Sequence, residues 1–285
     1  MTDLWGDLLS CLDLDARPGT VFEGRNQQLG YHRIFGGQLL AQSVRAAQLA
    51  CPGKAVKSLH VQFARAGRPQ EPVRYEVTRH HEGGSFATLT VVARQTQGVV
   101  AVAAVSLHSH EEGPDQQIAF PMPAVPGAEH DVDLSLLPWD TRAIVDVDSP
   151  KSEPPEYDLW MRTPAVAPEL APALTAYASD LSLIGTALRP LEGVTQHDSG
   201  TAFSSAVTTH TVWFHRPFTT EDWLLAPAEP AARPRPLLRP GRRTHRAGVS
   251  GRLLRAGGFV ALPYGRVAAT RARAALSASQ CRRRR

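Results

Sequence analysis

The chain has 285 residues, 42% hydrophobic and 20% charged, which suits a soluble globular protein with room for two ordinary domains. Its three scattered cysteines (Cys11, Cys51, Cys281) argue against a disulfide framework or a metal site, and the lack of a leader pattern or a membrane-length apolar run argues against a signal peptide and membrane insertion. The net charge of +4 hides a split. All 27 acidic residues lie at or before Glu229, and the chain beyond it holds 15 arginines and no Asp, Glu or Lys. Residues 1–229 therefore carry 16 basic against 27 acidic groups, a net charge of −11, which argues against nucleic acid as a main partner.

In chain order, Leu4, Leu8, Leu9 and Leu12 predict a short amphipathic helix, and Val21-Phe22-Glu23-Gly24 an edge strand. A long buried helix follows, entered through Gly36-Gly37 and stopped at Cys51-Pro52-Gly53; Leu40, Val44 and Ala47 form its apolar stripe. The period then changes to that of strands. Leu59, Val61 and Phe63 alternate, as do Val73, Tyr75 and Val77; Phe86, Thr88, Thr90 and Val92; and Val100, Val102, Ala104 and Ser106. One helix followed by an antiparallel meander predicts an α+β layer fold over residues 1–112. Residues 113–155 are proline-spaced and read as a surface linker. From 156 the order repeats: a strand from Asp158, a second long helix through Leu174, Tyr177, Leu181, Ile184 and Leu188, and a strand at 202–214. That repeat points to an internal duplication, with a second domain over 156–225.

A few residues stand out chemically. Asp180 borders the apolar face of the second helix, where a carboxylate is costly to bury without a partner; a surface aspartate flanking the core is the plain alternative. Thr208, Thr209, His210 and Thr211 form a polar cluster that would hold a water beside Asp180, or are ordinary strand threonines. Gly36 and Gly37 leave N–H groups at a positive helix end, suited to an oxyanion, or simply let the helix pack closely. His60, His80, His81, His210 and His215 lack the spacing of a zinc site, so no metal is expected. Nucleophile-elbow, phosphate-loop and dinucleotide fingerprints are absent.

Six blocks in one order carry a family resemblance: Arg33-Ile34-Phe35-Gly36-Gly37-Gln38, Leu59-His60-Val61-Gln62-Phe63, Gly84-Ser85-Phe86-Ala87, Tyr177-Ala178-Ser179-Asp180-Leu181, Trp213-Phe214-His215-Arg216-Pro217-Phe218 and Trp223-Leu224-Leu225. Across roughly residues 4–225 the chain resembles the acyl-CoA thioesterase II family, whose fold is a double hotdog. The resemblance implies an acyl-CoA substrate and hydrolysis to free acid and CoA without metal or redox cofactor. It also implies a water held by an Asp, a Ser/Thr and a Gln. Asp180 matches the Asp; Thr208 and Thr209 are the candidate hydroxyls; Gly36, Gly37, Gln38, Ser85 and Phe86 are the candidate substrate-binding residues. A cytoplasmic homo-oligomer is the expected setting.

Three departures from the family pattern matter. The Ser/Thr position, six residues before Trp213, holds Val207; Gly84 stands where arginine is common; and the final strand with its Gln is missing. From about Ala226 to Arg285 the chain turns to Ala, Pro, Gly and Arg. A codon choice for Arg252–Gly258 exists whose second frame reads Ala-Ser-Tyr-Ala-Gln-Glu-Gly, the missing strand, so residues 226–285 read as out of frame or as a disordered basic tail. Weak or absent activity follows as an expectation. The alternative function is a non-catalytic acyl-CoA-binding hotdog protein. A hotdog hydratase is disfavoured, since it wants a helix-borne histidine and none lies between Trp160 and Pro190.

Overall fold

The structure is a computed structural model that describes residues 3–111, 122–198, 203–228, 253–254 and 262–263. Helix α1 (Leu4–Leu12) is capped by Asp3, whose Oδ1 accepts the Gly6 N–H at 2.9 Å. Strands β1 (Asp15–Arg17) and β2 (Val21–Gly24) lead to the central helix α2 (Gly36–Ala50). Strands β3 (Ala55–Phe63), β4 (Val73–Glu82), β5 (Phe86–Gln95) and β6 (Gly98–His108) follow as the expected meander. The second half contributes β7 (Asp140–Arg142), β8 (Tyr157–Arg162), α3 (Ala171–Ser179), α4 (Ser182–Leu188), β9 (Ser204–Ser205), β10 (Thr209–Trp213) and β11 (Leu224–Ala228).

The main sheet runs β1-β2-β4-β5-β6-β3-β10. Its last strand comes from the second half and pairs antiparallel with β3, Val212 opposite Leu59 and Thr209 opposite Gln62. The two halves are thus one sheet at this seam. The sheet curls around α2, whose buried residues include Leu39, Leu40, Val44 and Ala47 and also Gln38, Gln42 and Ser43. A helix buried on nearly every side needs cover beyond the sheet, and α3 supplies it, packing against the N-terminal turn of α2.

Several expectations are corrected. Strand β2 is internal; β1 is the edge. Strands β5 and β6 lie where their alternation put them; the buried side chains are Ala87, Leu89, Val91 and Ala93 on β5, and Ala101, Ala103, Val105 and Leu107 with Val100 on β6. Both parities of these strands hold apolar side chains, so alternation alone does not choose the face; the alanines let the sheet sit close to α2. The segment read as a linker over 113–155 carries β7 and buries Leu137 and Ala143 within its described part, while 113–121 lie outside the described residues. The strand expected over 202–214 is confined to β9 and β10.

The second long helix is in fact two. Helix α3 ends at Ser179, and α4 begins at Ser182. The Ser179 hydroxyl bonds back to the Ala176 carbonyl at 2.8 Å, and the Leu181 N–H reaches the Ala178 carbonyl at 3.1 Å, a three-residue step. Back-bonding of this kind bends helices, and the tightened turn sets Asp180 at the break. Of the tail, Leu253–Leu254 pairs parallel with β9 and Leu262–Pro263 antiparallel with β11; the other residues from 229 on lie outside the described residues.

Candidate active site

The site forms where the N-terminus of α2 meets the C-terminal end of α3. Gly36 and Gly37 are required by this meeting. A Cβ on Gly36 would lie 2.5 Å from Asp180 Oδ2, and a Cβ on Gly37 would lie under 3.0 Å from the Tyr177 carbonyl oxygen. Phe35, which precedes the helix, packs edge-on against Tyr177 at 5.0 Å between ring centroids, and Trp139 meets Tyr177 at 6.0 Å. The Phe63 ring lies on the same side of Gly36 as Asp180, its tip 3.4 Å from where a Cβ on Gly36 would be.

Asp180 lies at this junction with 7% of its surface exposed. Burial pushes its carboxyl up to about 7, against the hydrogen-bonding Gly37 amide and the Arg33 guanidinium, which pull it down. The Gly37 amide thus meets the carboxylate, placing the positive helix end against the acid. Arg33 is fixed by bonds to Tyr31 Oη (3.1 Å) and the Ser205 carbonyl (3.0 Å), tying the entry segment of α2 to the second half.

His210, on the inward face of β10, is 1% exposed and depressed to about 4 by burial. Its Nε2 lies 2.8 Å from Ser179 Oγ, and its Nδ1 lies 3.9 Å from Asp180 Oδ1. His210 Nδ1 and Asp180 Oδ1 have no hydrogen-bond partner among the described residues. Of the polar cluster Thr208–Thr211 it is thus the imidazole, not a hydroxyl, that lies beside Asp180; its alternation with Val212 is the sequence signal that places it inside.

The other candidates disperse. Thr209 shares the outward parity with Thr211, whose hydroxyl meets His60 Nδ1 at 2.7 Å, so it does not face Asp180. Thr208 precedes β10, and its carbonyl accepts the Phe63 N–H at 3.0 Å. Val207 packs against the core. Gln38 is fully engaged as scaffold: its Oε1 accepts the Gln27 N–H (3.0 Å) and its Nε2 donates to Asn26 Oδ1 (2.7 Å) and Gln42 Oε1 (3.0 Å). Ser85 donates to Glu111, and Phe86 is 57% exposed. Register carries Phe86 to His108, while Phe63 pairs with Ala101 and Ala101 with Ala93. Phe86 therefore lies at the far end of the sheet, roughly 23 Å along the strand from the site. A cavity of about 290 Å³ opens beside Phe35 and Arg33, lined also by Gln27, Leu29, Tyr31 and Gln38. Among the described residues no cluster of potential metal ligands exists.

The raised Asp180 makes the pH dependence of stability distinctive. The unfolded carboxyl loses its proton near 3.8 and the folded one near 7, so stability is full below the lower value and falls as pH rises through the window. His210 runs oppositely, gaining stability as pH rises from about 4 to 6.5. Asp180→Asn should thus be stabilised relative to wild type by on the order of 4 kcal/mol more at pH 8 than at pH 4, as denaturant titrations at the two pH values measure.

Comparison with known proteins agrees with this architecture. Residues 24–108 match the family of acyl-CoA thioesterase N-terminal domains, and residues 153–253 match the acyl-CoA thioesterase family. Acyl-coenzyme A thioesterase 8 of Homo sapiens is 30% identical over 262 residues, covering 79% of this chain and 80% of that protein. An acyl-CoA thioesterase II, TesB2, of Mycobacterium marinum superposes with a TM-score of 0.62 at 30% identity, covering 77% of this chain and 84% of the other. A hotdog-fold protein of unknown function from Alicyclobacillus acidocaldarius shares the fold at 21% identity with a TM-score of 0.58, over 84% of this chain and 87% of its own. The chain belongs to the acyl-CoA thioesterase II family and has its α+β double hotdog fold.

Proposed function

We propose that the chain hydrolyses acyl-CoA to free acid and CoA with Asp180 as the general base. The observation that carries this reading is a buried carboxyl set where the N-terminus of α2 meets the end of α3; burial raises it to about 7, so near neutral pH it is matched to accept a proton from water. In the reaction a water oxygen bonds to the thioester carbonyl carbon while Asp180 takes one of its protons. The tetrahedral intermediate then collapses, the C–S bond breaks, and the proton passes from Asp180 to the departing CoA thiolate. The cavity is lined by Arg33, Ile34 and Phe35, the entry segment of α2, and by Gln38 in its first turn, and we assign it to the substrate arm that enters the site.

The chain also lacks the hydroxyl at Val207 and the family's Gln, so we place its rate below that of a chain carrying both. Loss of one polar group that steadies the transition state typically costs about 10²–10³-fold in kcat. Restoring the alternative reading frame from about residue 226 should raise kcat by that order; an unchanged kcat in a folded restored chain would contradict the reading.

The same departures favour one second reading, a binder of acyl-CoA without turnover. Calorimetry with a non-hydrolysable thioether analogue, alongside a thiol-release assay, separates the two: binding with no release, indifferent to Asp180→Asn, selects the binder. The homo-oligomer reading draws support from Phe86, Val102 and Trp213, apolar side chains exposed on the outward face of the main sheet. Light scattering should then give a mass that is a multiple of 30.9 kDa.

A further inference from the structure

The hydrogen bonds around Ser179 fix the tautomer of His210. The Ser179 hydroxyl has one proton and lies 2.8 Å from the Ala176 carbonyl and 2.8 Å from His210 Nε2. A carbonyl oxygen only accepts, so the hydroxyl proton goes to Ala176 and Nε2 must be the donor to Ser179. The neutral ring then carries its proton on Nε2 and its lone pair on Nδ1. That lone pair is turned toward Asp180 Oδ1, 3.9 Å away. With Asp180 ionised, two acceptors confront each other in a dry site, and neither has another partner among the described residues. With Asp180 protonated on Oδ1, an approach of about 1 Å makes an ordinary O–H···N hydrogen bond.

We propose that His210 is a positioning residue for the hydrolysis, acting through Asp180: its Nδ1 lone pair destabilises the ionised carboxylate, accepts the Oδ1 proton of the acid form, and so strengthens Asp180 as a base. This rests on the assignment of Asp180 as the base. His210 gains and loses no covalent bond; the proton moves only between water, Asp180 and the leaving thiolate. Among the described residues, the groups facing the carboxyl are these. The entry segment offers Arg33, α2 the Gly37 amide, β3 the uncharged Phe63 ring, and β10 His210 itself. Arg33 and Gly37 favour the ionised acid, so His210 opposes them. The same physics explains why the imidazole stays neutral: a proton on Nδ1 would create a buried cation.

The test is nitrogen NMR of the full chain labelled with ¹⁵N-histidine, followed from pH 5 to pH 9. His210 is expected to stay in the neutral Nε2–H form throughout. Its Nδ1 signal should show one step centred near pH 7, where Asp180 titrates, and the step should vanish in Asp180→Asn. A Nδ1–H tautomer, an imidazolium forming with the midpoint of a free histidine, or a flat Nδ1 signal in wild type would each overturn the proposal. These readouts need no turnover and, for wild type, no variant. A second readout is the pH profile of kcat/KM, whose acid limb should move to lower pH in His210→Leu; a limb that stays in place in the folded variant contradicts the role. Failure of the base assignment looks different: Asp180→Asn would then hydrolyse acyl-CoA as wild type does, whatever the tautomer of His210.

Discussion

Asp180→Asn should lower kcat for acyl-CoA hydrolysis by about 10²–10⁴-fold, the range a positioned general base contributes. KM should change little, because the carboxyl acts on the water and not on the CoA or acyl groups. The substitution is close to isosteric, and Asn keeps an oxygen for the Gly37 amide. The lost rate therefore reports the proton acceptor rather than a collapsed site. Steady-state kinetics over a series of acyl-CoA concentrations checks this. A fall in kcat/KM through KM alone would mean that Asp180 binds substrate without taking a proton. The same variant gains stability at high pH, so it should be the more robust protein and the poorer enzyme.

Gly37→Ala should lower stability by about 2–3 kcal/mol and abolish measurable turnover. Ordinarily alanine in a helix gains about 1 kcal/mol over glycine. Here the added Cβ would enter the space of the Tyr177 carbonyl oxygen and of the Phe35 ring, and a backbone atom of a packed helix cannot swing aside. Helices α2 and α3 must separate, which carries Asp180 away from its amide. Gly36→Ala makes an instructive contrast. Its Cβ would meet Asp180 Oδ2 at 2.5 Å, the end of a side chain, so the carboxylate moves instead of the backbone. Gly36→Ala should lose activity with a smaller loss of stability. Urea unfolding and thiol-release assays on the two variants distinguish these outcomes.

The sequence was most legible where one periodicity ran long. Helix α2 and strands β3 to β6 lie where their spacing placed them, since their repeats are clear and their turns are marked by glycine and proline. It was less legible where chemistry interrupted a period. The break at Asp180 is invisible in the repeat of Tyr177, Leu181 and Ile184, because it arises from the Ser179 hydroxyl turning back on its own helix. The inward face of β5 and β6 was ambiguous because alanine and valine occur on both parities. Asp180 was legible as an acid beside an apolar stripe, yet what it is buried against is the N-terminus of α2 at Gly36, from the opposite half of the chain. Gln38 and Phe86 belong to blocks that carry the family resemblance. One is bound into a buried amide network, and the other sits at the far end of the sheet. No spacing rule reveals either placement.

The most direct measurement is thiol release from an acyl-CoA by the purified full chain, run beside Asp180→Asn at pH 8. Asp180 as a working base predicts release above the uncatalysed rate for the wild-type chain, even if slow for this family, and its loss in the variant while the thioether analogue still binds. Equal release by both proteins, or binding with release by neither, would contradict it.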